Sequence, residues 1–518
     1  MTEDTNQHKG PFLTLREGCY LVRGPYRSAI YDLRHGRLYS LDPAVVAVLD
    51  DALRGIPWNR LRRAVERGSP TAAVQSALEK SPFVRLQPQF LPPPPIENAV
   101  IRAPTRRGGV WLEPTNRCNL RCIHCYASAG PALPGEMSLT QWKQTIDQLF
   151  AEGFRHFTIC GGEPFVYPHL KELLQHLAAH GAEAITVLTN ACLLREDTVR
   201  YAAEIGVEFG VTFYSHVREH HEKITRVRGS WQAAVDGMSL LLRLGIPFSV
   251  NIPLGSLNQD DLEETLDFLE RLGVPRHRAG GNIVYPLGRG CNPEVLPSQR
   301  TIFNIRTEIY EIPVGEDGKL DYHTCWRGKL LVMADGRVTP CPSARDERFV
   351  IGNLAQRPLA EILADERLHQ LWGITLDDVP ECRQCEFRYG CHDCRANAFI
   401  YTGDLWGKNP YCSYDPQTGS WKAPALPQRS LRRVEKTPGF SLRVSPDGSG
   451  VLNDEKSGAL FRINASAALI FEALDEPRAL EELAQILCKR FDVTPARAYR
   501  DVSRIVSHAV KAGILRWR

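Results

Sequence analysis

Three cysteines that lie close together in the sequence have the residue type and spacing of a metal-cluster site. Cys118, Cys122 and Cys125 are separated by three and by two residues, and they follow a short apolar segment. Soft thiolate ligands favour iron-sulfur clusters or zinc. Three ligands leave one iron of a four-iron cluster without a protein ligand, and that iron has room for a small chelating molecule. The spacing therefore predicts a metal site that can also bind a second, small ligand.

Zinc is the alternative metal for this site. A structural zinc needs a fourth ligand, and His124 is the nearest candidate. His124 lies inside the cysteine loop, where its side chain is badly placed to complete a tetrahedron. Together with the strand-helix alternation and the Cys160-Gly-Gly-Glu-Pro164 run that follow, this favours iron and sulfide, and zinc stays the alternative.

A second group of cysteines lies towards the carboxyl side of the chain. Its members are Cys325, Cys341, Cys382, Cys385, Cys391, Cys394 and Cys412. Two zinc ribbons would be the simplest alternative, but the two cysteine pairs of a zinc ribbon are separated from each other by about 12 to 20 residues. Here the pair at 382 and 385 is only five residues from the pair at 391 and 394. The spacing favours metal clusters of another kind.

Between these two groups, short apolar strands alternate with longer amphipathic helices. The predicted strands are 109–112, 157–159, 184–188, 209–213, 247–252 and 282–285. Strands separated by helices pair in parallel through right-handed crossovers. We therefore expect a parallel α/β unit over residues 108–315, with the three-cysteine loop just after its first strand.

Small units precede and follow this region. Residues 1–95 begin with alternating patterns joined by a turn, continue with a helix that starts at Asp42-Pro43, and end in the polyproline stretch 92–95. The alternation indicates a small hairpin.

The last unit, residues 438–518, has predicted strands at 440–444 and 458–463. Three helical patterns follow, and Asn464 and Ser466 cap the first of them. This order is that of a small winged-helix-like module, and the first and last units could be distant copies of one plan. A Pro-containing basic stretch, 423–433, is a plausible linker.

Composition and charge exclude some classes of function. The 518 residues include 63 basic and 60 acidic side chains, a formal net charge of +3, which gives no electrostatic footprint for nucleic acid or an anionic membrane. No apolar run approaches the roughly 18 uncharged residues of a membrane span, and the first ten residues lack the apolar core of a signal peptide. We expect a cytoplasmic protein of about two to four domains.

The three-cysteine loop, the Tyr126 that follows it and the run Cys160-Gly-Gly-Glu-Pro164 resemble the radical S-adenosylmethionine (radical SAM) superfamily. The resemblance implies that the three thiolates hold a 4Fe-4S cluster whose open iron chelates the amino and carboxylate groups of SAM. One electron would then cleave SAM, and the resulting 5'-deoxyadenosyl radical would abstract a hydrogen atom from the substrate.

The same resemblance implies a set of SAM contacts. These are Tyr126, Gly161, Gly162, Glu163, Ser215, Arg228 and Asn251. The glycines allow backbone to approach a ligand closely. The stretch Phe213-Tyr-Ser215-His216 departs from the family's usual Ser-hydrophobic-Asp-Gly pattern, so a structural role is the alternative for Ser215. Cys160 is expected to be a small buried residue.

The second cysteine group resembles the SPASM extension of peptide-modifying radical SAM enzymes, which implies two auxiliary 4Fe-4S clusters. Carried over by position, the distal cluster would take Cys382, Cys385, Cys391 and Cys412, and the proximal cluster would take Cys325, Cys341 and Cys394. The family has three residues before the last of these cysteines, whereas this chain has two, His392 and Asp393. The fourth proximal ligand is open: it is Cys291, or the iron is free to bind substrate.

Residues 438–518 resemble the peptide-binding chaperone of pyrroloquinoline quinone biosynthesis, a RiPP recognition element (RiPPs are ribosomally made, post-translationally modified peptides). The matching skeleton includes Leu460-Phe-Arg-Ile-Asn464, Ile470-Phe471, Phe491-x-Val493 and Gly513-Ile-Leu515. The resemblance implies that a leader peptide pairs as an added strand at the sheet edge. The N-terminal unit has a weaker likeness to the same module.

A DNA-binding winged helix is the alternative for the last unit. Arg497, Arg500 and Arg504 recur at helical spacing, but Asp501 lies among them and no broader basic run surrounds them. Peptide binding is therefore favoured, and neither nucleic acid nor membrane is an expected partner.

Together the resemblances imply a partial (β/α)6 TIM-type barrel at 108–315, a Cys-rich auxiliary domain at 316–420 and winged-helix-like modules at 1–95 and 438–518. The implied function is a peptide maturase that binds the leader of a ribosomal precursor and crosslinks or oxidises its core, with flavodoxin or ferredoxin as electron donor. The alternatives are oxidation of a residue in a protein substrate, as in sulfatase maturation, and a noncatalytic peptide chaperone stapled by metal clusters.

Overall fold

The N-terminal unit contains two small antiparallel sheets and three helices. The computed structural model describes residues 10–65, 69–101, 107–285, 287–291, 293–306, 312, 314, 318–321, 325–391, 393–402, 404–409, 411–421, 433–491, 493, 498, 501–502, 505–506, 508–510 and 512–517. The strands of this unit are β1 (Phe12–Leu15), β2 (Cys19–Arg23), β3 (Ser28–Asp32), β4 (Arg37–Leu41) and β5 (Val84–Gln87). Its helices are α1 (Pro43–Leu53), α2 (Trp58–Arg63) and α3 (Pro70–Lys80).

The middle strand of the first sheet is β3, which pairs with β2 and β4, while β1 pairs with β5. Helix α1 begins where the sequence predicts it, because the side chain of Asp42 accepts a hydrogen bond from the backbone N–H of Val45 and Pro43 occupies the first turn.

Six parallel strands form the barrel region. The strands from residue 100 onwards are β6 (Val100–Ile101), β7 (Val110–Leu112), β8 (His156–Ile159), β9 (Ala184–Thr189), β10 (Val207–Thr212), β11 (Phe248–Leu254) and β12 (Ala279–Ile283). The helices are α4 (Leu139–Ala151), α5 (Leu170–Ala179), α6 (Glu196–Glu204), α7 (Arg218–Thr225), α8 (Ser230–Arg243), α9 (Leu262–Leu272) and α10 (Gln299–Arg306). Strands β7 to β12 pair in chain order, each parallel to the next. This confirms the predicted α/β fold with a partial TIM-type barrel.

The core of this region lies between the sheet and its helices. Among the fully buried side chains are Leu112, Ile159, Val187, Val211, Ile252, Ile146, Leu173 and Leu241. Parallel strands covered by helices consist of near-continuous apolar runs, which is why five of the six strands were predicted within a few residues. Strand β12 starts earlier than predicted, since Gly280 and Gly281 carry no strand signal.

The auxiliary region continues the barrel sheet. Its strands are β13 (Leu320–Asp321), β14 (Leu330–Val332), β15 (Arg337–Thr339), β16 (Gly352–Asn353), β17 (Tyr414–Asp415) and β18 (Ser420–Trp421), and its helices are α11 (Leu359–Leu363), α12 (Glu366–Gly373) and α13 (Arg395–Thr402). Strand β14 pairs in parallel with β7, so that Leu331 lies opposite Trp111, and β15 and β16 extend the sheet to nine strands. The buried side chains of Trp326 and Phe349 join the core of the barrel.

Like the N-terminal unit, the C-terminal unit has a small three-stranded sheet that is followed by helices. Its elements are β19 (Arg433–Lys436), β20 (Phe440–Val444), β21 (Gly450–Asp454), β22 (Leu460–Ile463), α14 (Ala465–Ala473), β23 (Arg478–Ala479), α15 (Leu480–Arg490) and β24 (Leu515–Trp517). Strand β21 was not predicted. Asn464 caps α14 by accepting from the N–H of Ala467, as expected, whereas Ser466 lies inside the first turn.

Parts of two predicted features fall outside the described residues. These are positions 423–432 of the predicted linker and Arg497, Arg500 and Arg504 of the third helical pattern. The described residues of that pattern include buried Ala498, Val502 and Val506, which pack in the core of the unit. None of the described helices has the length and apolar character to cross a membrane.

Candidate active site

A cavity of about 360 Å³ lies at the carboxyl ends of the barrel strands. Thr189 and Asn190 border it at the end of β9, Thr212 and Tyr214 at the end of β10, and Pro253 near the end of β11. Parallel strands bring their carboxyl ends to one edge, which is where barrel enzymes place their active sites. The fold therefore provides one concave site for ligands from several strands.

The three predicted cluster ligands line this cavity. Cys118, Cys122 and Cys125 carry free thiols. The backbone N–H groups of Leu120 and Ala129 lie 3.4 Å from Sγ of Cys118 and 3.4 Å from Sγ of Cys125. Donors aimed at the sulfurs stabilise the thiolate form that a metal cluster needs.

Two of the three thiols have raised pKa values. Burial raises the pKa of Cys118 to about 11 and the pKa of Cys122 to about 12. Thiols with such pKa values stay protonated at neutral pH until a metal displaces the protons. Burial lowers the pKa of the neighbouring His124 to about 4, so this imidazole is neutral.

Two side chains that were not predicted fix the cysteine loop. Arg289 donates from Nε to the carbonyl oxygen of Cys122 and from a terminal nitrogen to the carbonyl oxygen of Ala129, each at 2.8 Å. The hydroxyl of Tyr214 lies 3.3 Å from Sγ of Cys122. Neither residue lies near the loop in sequence, so spacing alone gave no signal for them.

The Gly-Gly-Glu run follows β8 and packs tightly against the cysteine loop. Gly161 has a φ of +104°, and a Cβ atom on Gly162 would lie 2.0 Å from the carbonyl oxygen of Arg117. A side chain at either position would separate β8 from the loop or strain the backbone. The two glycines therefore let the end of β8, the loop and a ligand in the cavity approach one another.

Glu163 connects the ends of two strands. Its carboxylate accepts from the hydroxyl of Thr189 at 2.7 Å and from the N–H of Asn190 at 2.9 Å. Burial raises the pKa of Glu163 to about 7, against the effect of these donors. Glu163 thus borders the cavity while its carboxylate positions the end of β9.

The other predicted SAM contacts divide into two pairs. Tyr126 and Asn251 line the cavity. Ser215 is fully buried, and its hydroxyl donates to Asp261 at 2.6 Å. Arg228 is exposed in the turn before α8. The structure therefore brings Tyr126 and Asn251 to the cavity that the thiols line, whereas Ser215 and Arg228 do not line it. The hydrogen bond of Ser215 to Asp261 fits the structural role.

The auxiliary region supplies part of the cavity wall. Pro342 and Ser343, just after Cys341, line the cavity. Arg345 forms a buried ion pair with Glu113, and its guanidinium lies 5.0 Å from the centre of the Tyr126 ring. Sequence reasoning missed this pair, because nothing in the sequence joins residues so far apart.

The structure also brings the second cysteine group together as two sets. Cys325 hydrogen-bonds with Cys394, and Cys341 lies close enough to raise the thiol pKa of Cys325. Trp326 donates from Nε1 to Sγ of Cys341 at 3.0 Å. These three are the predicted proximal set. His392 and the side chain of Cys291 lie outside the described part of the chain.

The second set matches the predicted distal ligands. The four thiols lie close together, because charge on Cys412 raises the pKa of Cys382, Cys385 and Cys391. Burial is the larger cause, and it raises the pKa of Cys382 to about 12. A partly buried set of four thiols has the ligand number and softness of a closed cluster site.

Three family models match this chain. The radical SAM superfamily matches residues 112–269, an iron-sulfur cluster-binding domain known as SPASM matches residues 325–386, and coenzyme PQQ synthesis protein D (PqqD) matches residues 449–515. The first runs from the end of β7 into α9, the second covers the auxiliary region only as far as Glu386, and the third covers most of the C-terminal unit.

Relatives of known function cover more than half of the chain. An AdoMet-dependent heme synthase of Methanosarcina barkeri is 26% identical over 345 residues, which are 59% of this chain and 95% of that protein. The antilisterial bacteriocin subtilosin biosynthesis protein AlbA of Bacillus subtilis is 27% identical over 300 residues, 55% of this chain and 66% of that protein. An Fe-coproporphyrin III synthase of Methanosarcina barkeri is 30% identical over 353 residues, 58% of this chain and 86% of that protein.

Proposed function

Because the chain belongs to the radical SAM superfamily, we propose that it uses SAM to modify a ribosomally made precursor peptide whose leader binds the C-terminal unit. When bound, the 4Fe-4S cluster and SAM supply the abstraction of a hydrogen atom from an unactivated C–H bond. The observation that carries the proposal is the presence of a PqqD-like module on the same chain as the SAM site.

The cysteine loop would hold the cluster and adjust its charge. Cys118, Cys122 and Cys125 are the ligands. The N–H groups of Leu120 and Ala129 donate to the outer two sulfurs, as described above. Hydrogen bonds to cluster sulfurs stabilise the more negative, reduced state. The loop is therefore suited to a cluster that must receive an electron.

The opposite wall would hold SAM. Gly161 and Gly162 expose backbone to the cavity, where a carbonyl can accept from the ammonium group of the ligand. Tyr126 and Asn251 line the same space. Glu163 would act as a positioning residue, since its carboxylate fixes the turn at Asn190. A site closed on several sides holds the reacting C–H bond in place and excludes water.

The auxiliary cysteines would hold two further 4Fe-4S clusters. Four thiols close the distal site, and three thiols leave one position of the proximal site for Cys291 or for substrate. Because Pro342 and Ser343 line the cavity, the proximal site lies beside the space in which substrate would react. Flavodoxin or ferredoxin is the proposed electron donor.

The C-terminal unit offers a surface for the leader. In its sheet the order of strands is β20, β21 and β22, so β22 is an edge strand within the described residues. Leu460 and Phe461 on β22 are 69% and 39% exposed. An extended peptide can pair with such an edge through its backbone and place apolar side chains beside these residues.

A porphyrin is the second candidate substrate. Two of the relatives above are named for heme or coproporphyrin synthesis, and they align with more than half of this chain. The PqqD match favours the peptide, because a small tetrapyrrole needs no strand-pairing module.

The deciding experiment compares the full chain with a chain that ends at residue 437. Both are reconstituted anaerobically and incubated with SAM, a reductant and the short peptide encoded nearest to this gene. We expect the full chain to change the peptide's mass and to form 5'-deoxyadenosine, and the shortened chain to form deoxyadenosine with the peptide unchanged. Equal peptide modification by both chains, or consumption of Fe-coproporphyrin instead of peptide, would reject the proposal.

A further inference from the structure

The first and last units of the chain share one arrangement of elements. In each, a single strand (β1 or β19) precedes a three-stranded antiparallel sheet (β2-β3-β4 or β20-β21-β22). The helix that follows is capped by the residue directly before it, Asp42 in one unit and Asn464 in the other. The first strand then pairs antiparallel with the last strand, β5 or β24.

The pairing register of the last two strands is also the same in the two sheets, whereas the loop between the first two strands is one residue longer in the second sheet. Tyr31 lies opposite Leu38 in the first sheet, and Asn453 lies opposite Leu460 in the second. Four of the five pairs between β3 and β4 have a counterpart between β21 and β22 at one constant sequence offset. A one-residue slip would reverse the faces of a strand. Equal registers therefore mean that equivalent positions face the same side.

The turn between these last two strands agrees as well. Gly36 and Gly458 both have positive φ, 61° and 72°, and each stands four residues after the aspartate that ends the middle strand, Asp32 or Asp454. Glycine is favoured in this left-handed conformation. The family model for PqqD matches the second unit and not the first. The shared register and turn therefore show a similarity of fold between the two units that the family model does not detect.

We call the sheet face that carries Leu38 in the first unit, and Leu460 in the second, the outer sheet face. Its surroundings differ between the two units. Leu38 is 4% exposed, whereas its counterpart Leu460 is 69% exposed. Tyr20, Tyr31 and Leu38 share one face of the first sheet. This face packs in a core with Phe387 and Tyr389, and Cys382, Cys385, Cys391 and Cys412 border the same core.

Specific contacts join this face to the cysteine quartet, which consists of Cys382, Cys385, Cys391 and Cys412. Tyr31 is completely buried, and its hydroxyl donates to the carbonyl oxygen of Glu386 at 2.9 Å. Its ring meets Tyr389 edge-on at 6.1 Å. A Cβ atom on Gly390 would lie 3.4 Å from the Tyr31 ring, so the backbone beside Cys391 runs directly against the sheet.

We propose that the N-terminal unit is a second copy of the recognition-element fold, and that its outer sheet face covers the cysteine quartet and seals the cluster there from solvent. This inference rests on the proposed distal cluster. Burial and hydrogen bonding around a cluster control its stability towards solvent and its potential. In the C-terminal copy the same face is exposed to solvent at Leu460.

Matched substitutions at equivalent positions test this role. Leu38→Asp and Leu460→Asp place the same charge at the same register position, and Cys385→Ala is the reference for loss of the distal cluster. After anaerobic reconstitution of the full chain, iron and sulfide are counted and the reduced clusters are examined by electron paramagnetic resonance. We expect Leu38→Asp to lose as much iron as Cys385→Ala, with the same signal missing, and Leu460→Asp to keep the full content.

Full iron content in soluble Leu38→Asp would overturn the inference. If Leu38→Asp does not fold, Tyr31→Phe decides, because it keeps the ring and removes only the bond to Glu386. We expect its visible cluster absorbance to decay in air at least twofold faster than that of the unsubstituted protein, and an unchanged decay would overturn the inference. If Cys385→Ala keeps its iron on the three remaining thiols, the double variant Cys382→Ala/Cys385→Ala becomes the reference. A double variant that also keeps all its iron would mean that the proposed distal cluster has failed, and the covering role would fail with it for that separate reason.

Discussion

The hydroxyl of Tyr214 lies 3.3 Å from Sγ of Cys122, the middle thiol of the three-cysteine loop. Tyr214 follows the carboxyl end of β10, and its ring meets His124 edge-on at 5.2 Å. A barrel strand and the cysteine loop are therefore joined through a hydroxyl and a sulfur. This contact gives the barrel a direct influence on the electron density of the cluster ligand.

Tyr214→Phe should make the three-cysteine cluster harder to reduce. The phenylalanine keeps the ring in place but removes the donor, and a sulfur that loses a hydrogen bond carries more negative charge. We expect a more negative reduction potential and slower formation of 5'-deoxyadenosine with iron content unchanged. The potential is measured by a redox titration followed by electron paramagnetic resonance. A potential equal to that of the unsubstituted protein would contradict the role of the hydroxyl.

Glu163→Ala should destabilise the turn after β9 and slow SAM cleavage. The change leaves the buried hydroxyl of Thr189 and the N–H of Asn190 without their acceptor, which costs about 1–3 kcal/mol. We expect a lower midpoint of anaerobic thermal unfolding and at least a tenfold loss of deoxyadenosine formation. The exposed Glu183→Ala serves as the control and should change neither. A Glu163→Ala protein with normal SAM cleavage would remove Glu163 from the site.

Arg345→Met should cost far more stability than the same change at Arg348. Arg345 pairs with Glu113, whose side chain is 6% exposed, whereas the side chain of Arg348 is 65% exposed and pairs with Asp346. Removing one partner of a buried pair leaves an uncompensated charge and costs about 3–5 kcal/mol. Thermal unfolding of the two variants measures the difference. Equal midpoints would mean that the buried pair is no stronger than the surface pair.

His221 should make stability depend on pH in the acid range. The imidazole is 1% exposed, packs against Phe213 and Tyr214, and has no hydrogen-bond partner among the described residues. Burial lowers its pKa to about 4. The unfolded chain takes up a proton near pH 6.5 and the folded chain does not, so stability is present above that pH and is lost as the pH falls.

Between about pH 7.5 and about pH 5, this group should lower the free energy of unfolding by about 2 kcal/mol. His221→Leu should remove that part of the loss, while the exposed His277→Leu should leave it unchanged. Thermal unfolding at the two pH values gives the comparison. If His221→Leu loses as much stability on acidification as the unsubstituted protein, the imidazole is protonated in the folded state.

Features set by local sequence were predictable. The spacing of Cys118, Cys122 and Cys125, the glycines after β8 and the cap at Asn464 each act over a few residues, so the sequence carries them directly. The apolar runs of the barrel strands are equally local. The assignment of the seven auxiliary cysteines to two sets was possible only through the resemblance to a known family.

Features set by distant contacts were not predictable. The pair of Glu113 with Arg345 and the bond of Tyr214 to Cys122 depend on the fold, and neither residue type is unusual at its position. Ser215 shows the reverse case. The family resemblance implied that Ser215 contacts SAM, with a structural role as the alternative, and in the structure its hydroxyl donates to Asp261. Packing decides which polar side chains after β10 face the cavity, and packing cannot be read from the local sequence.

The parallel pairing of β14 with β7 restricts how a substrate can enter. Val110, Trp111 and Leu112 are each paired with a residue of β14, so the barrel and the auxiliary region share one hydrogen-bonded sheet. A hinge between these regions would have to break the nine-stranded sheet between its sixth and seventh strands. A substrate would therefore reach the thiols by way of the loops that surround the cavity, and not by separation of the barrel from strands β14 to β16.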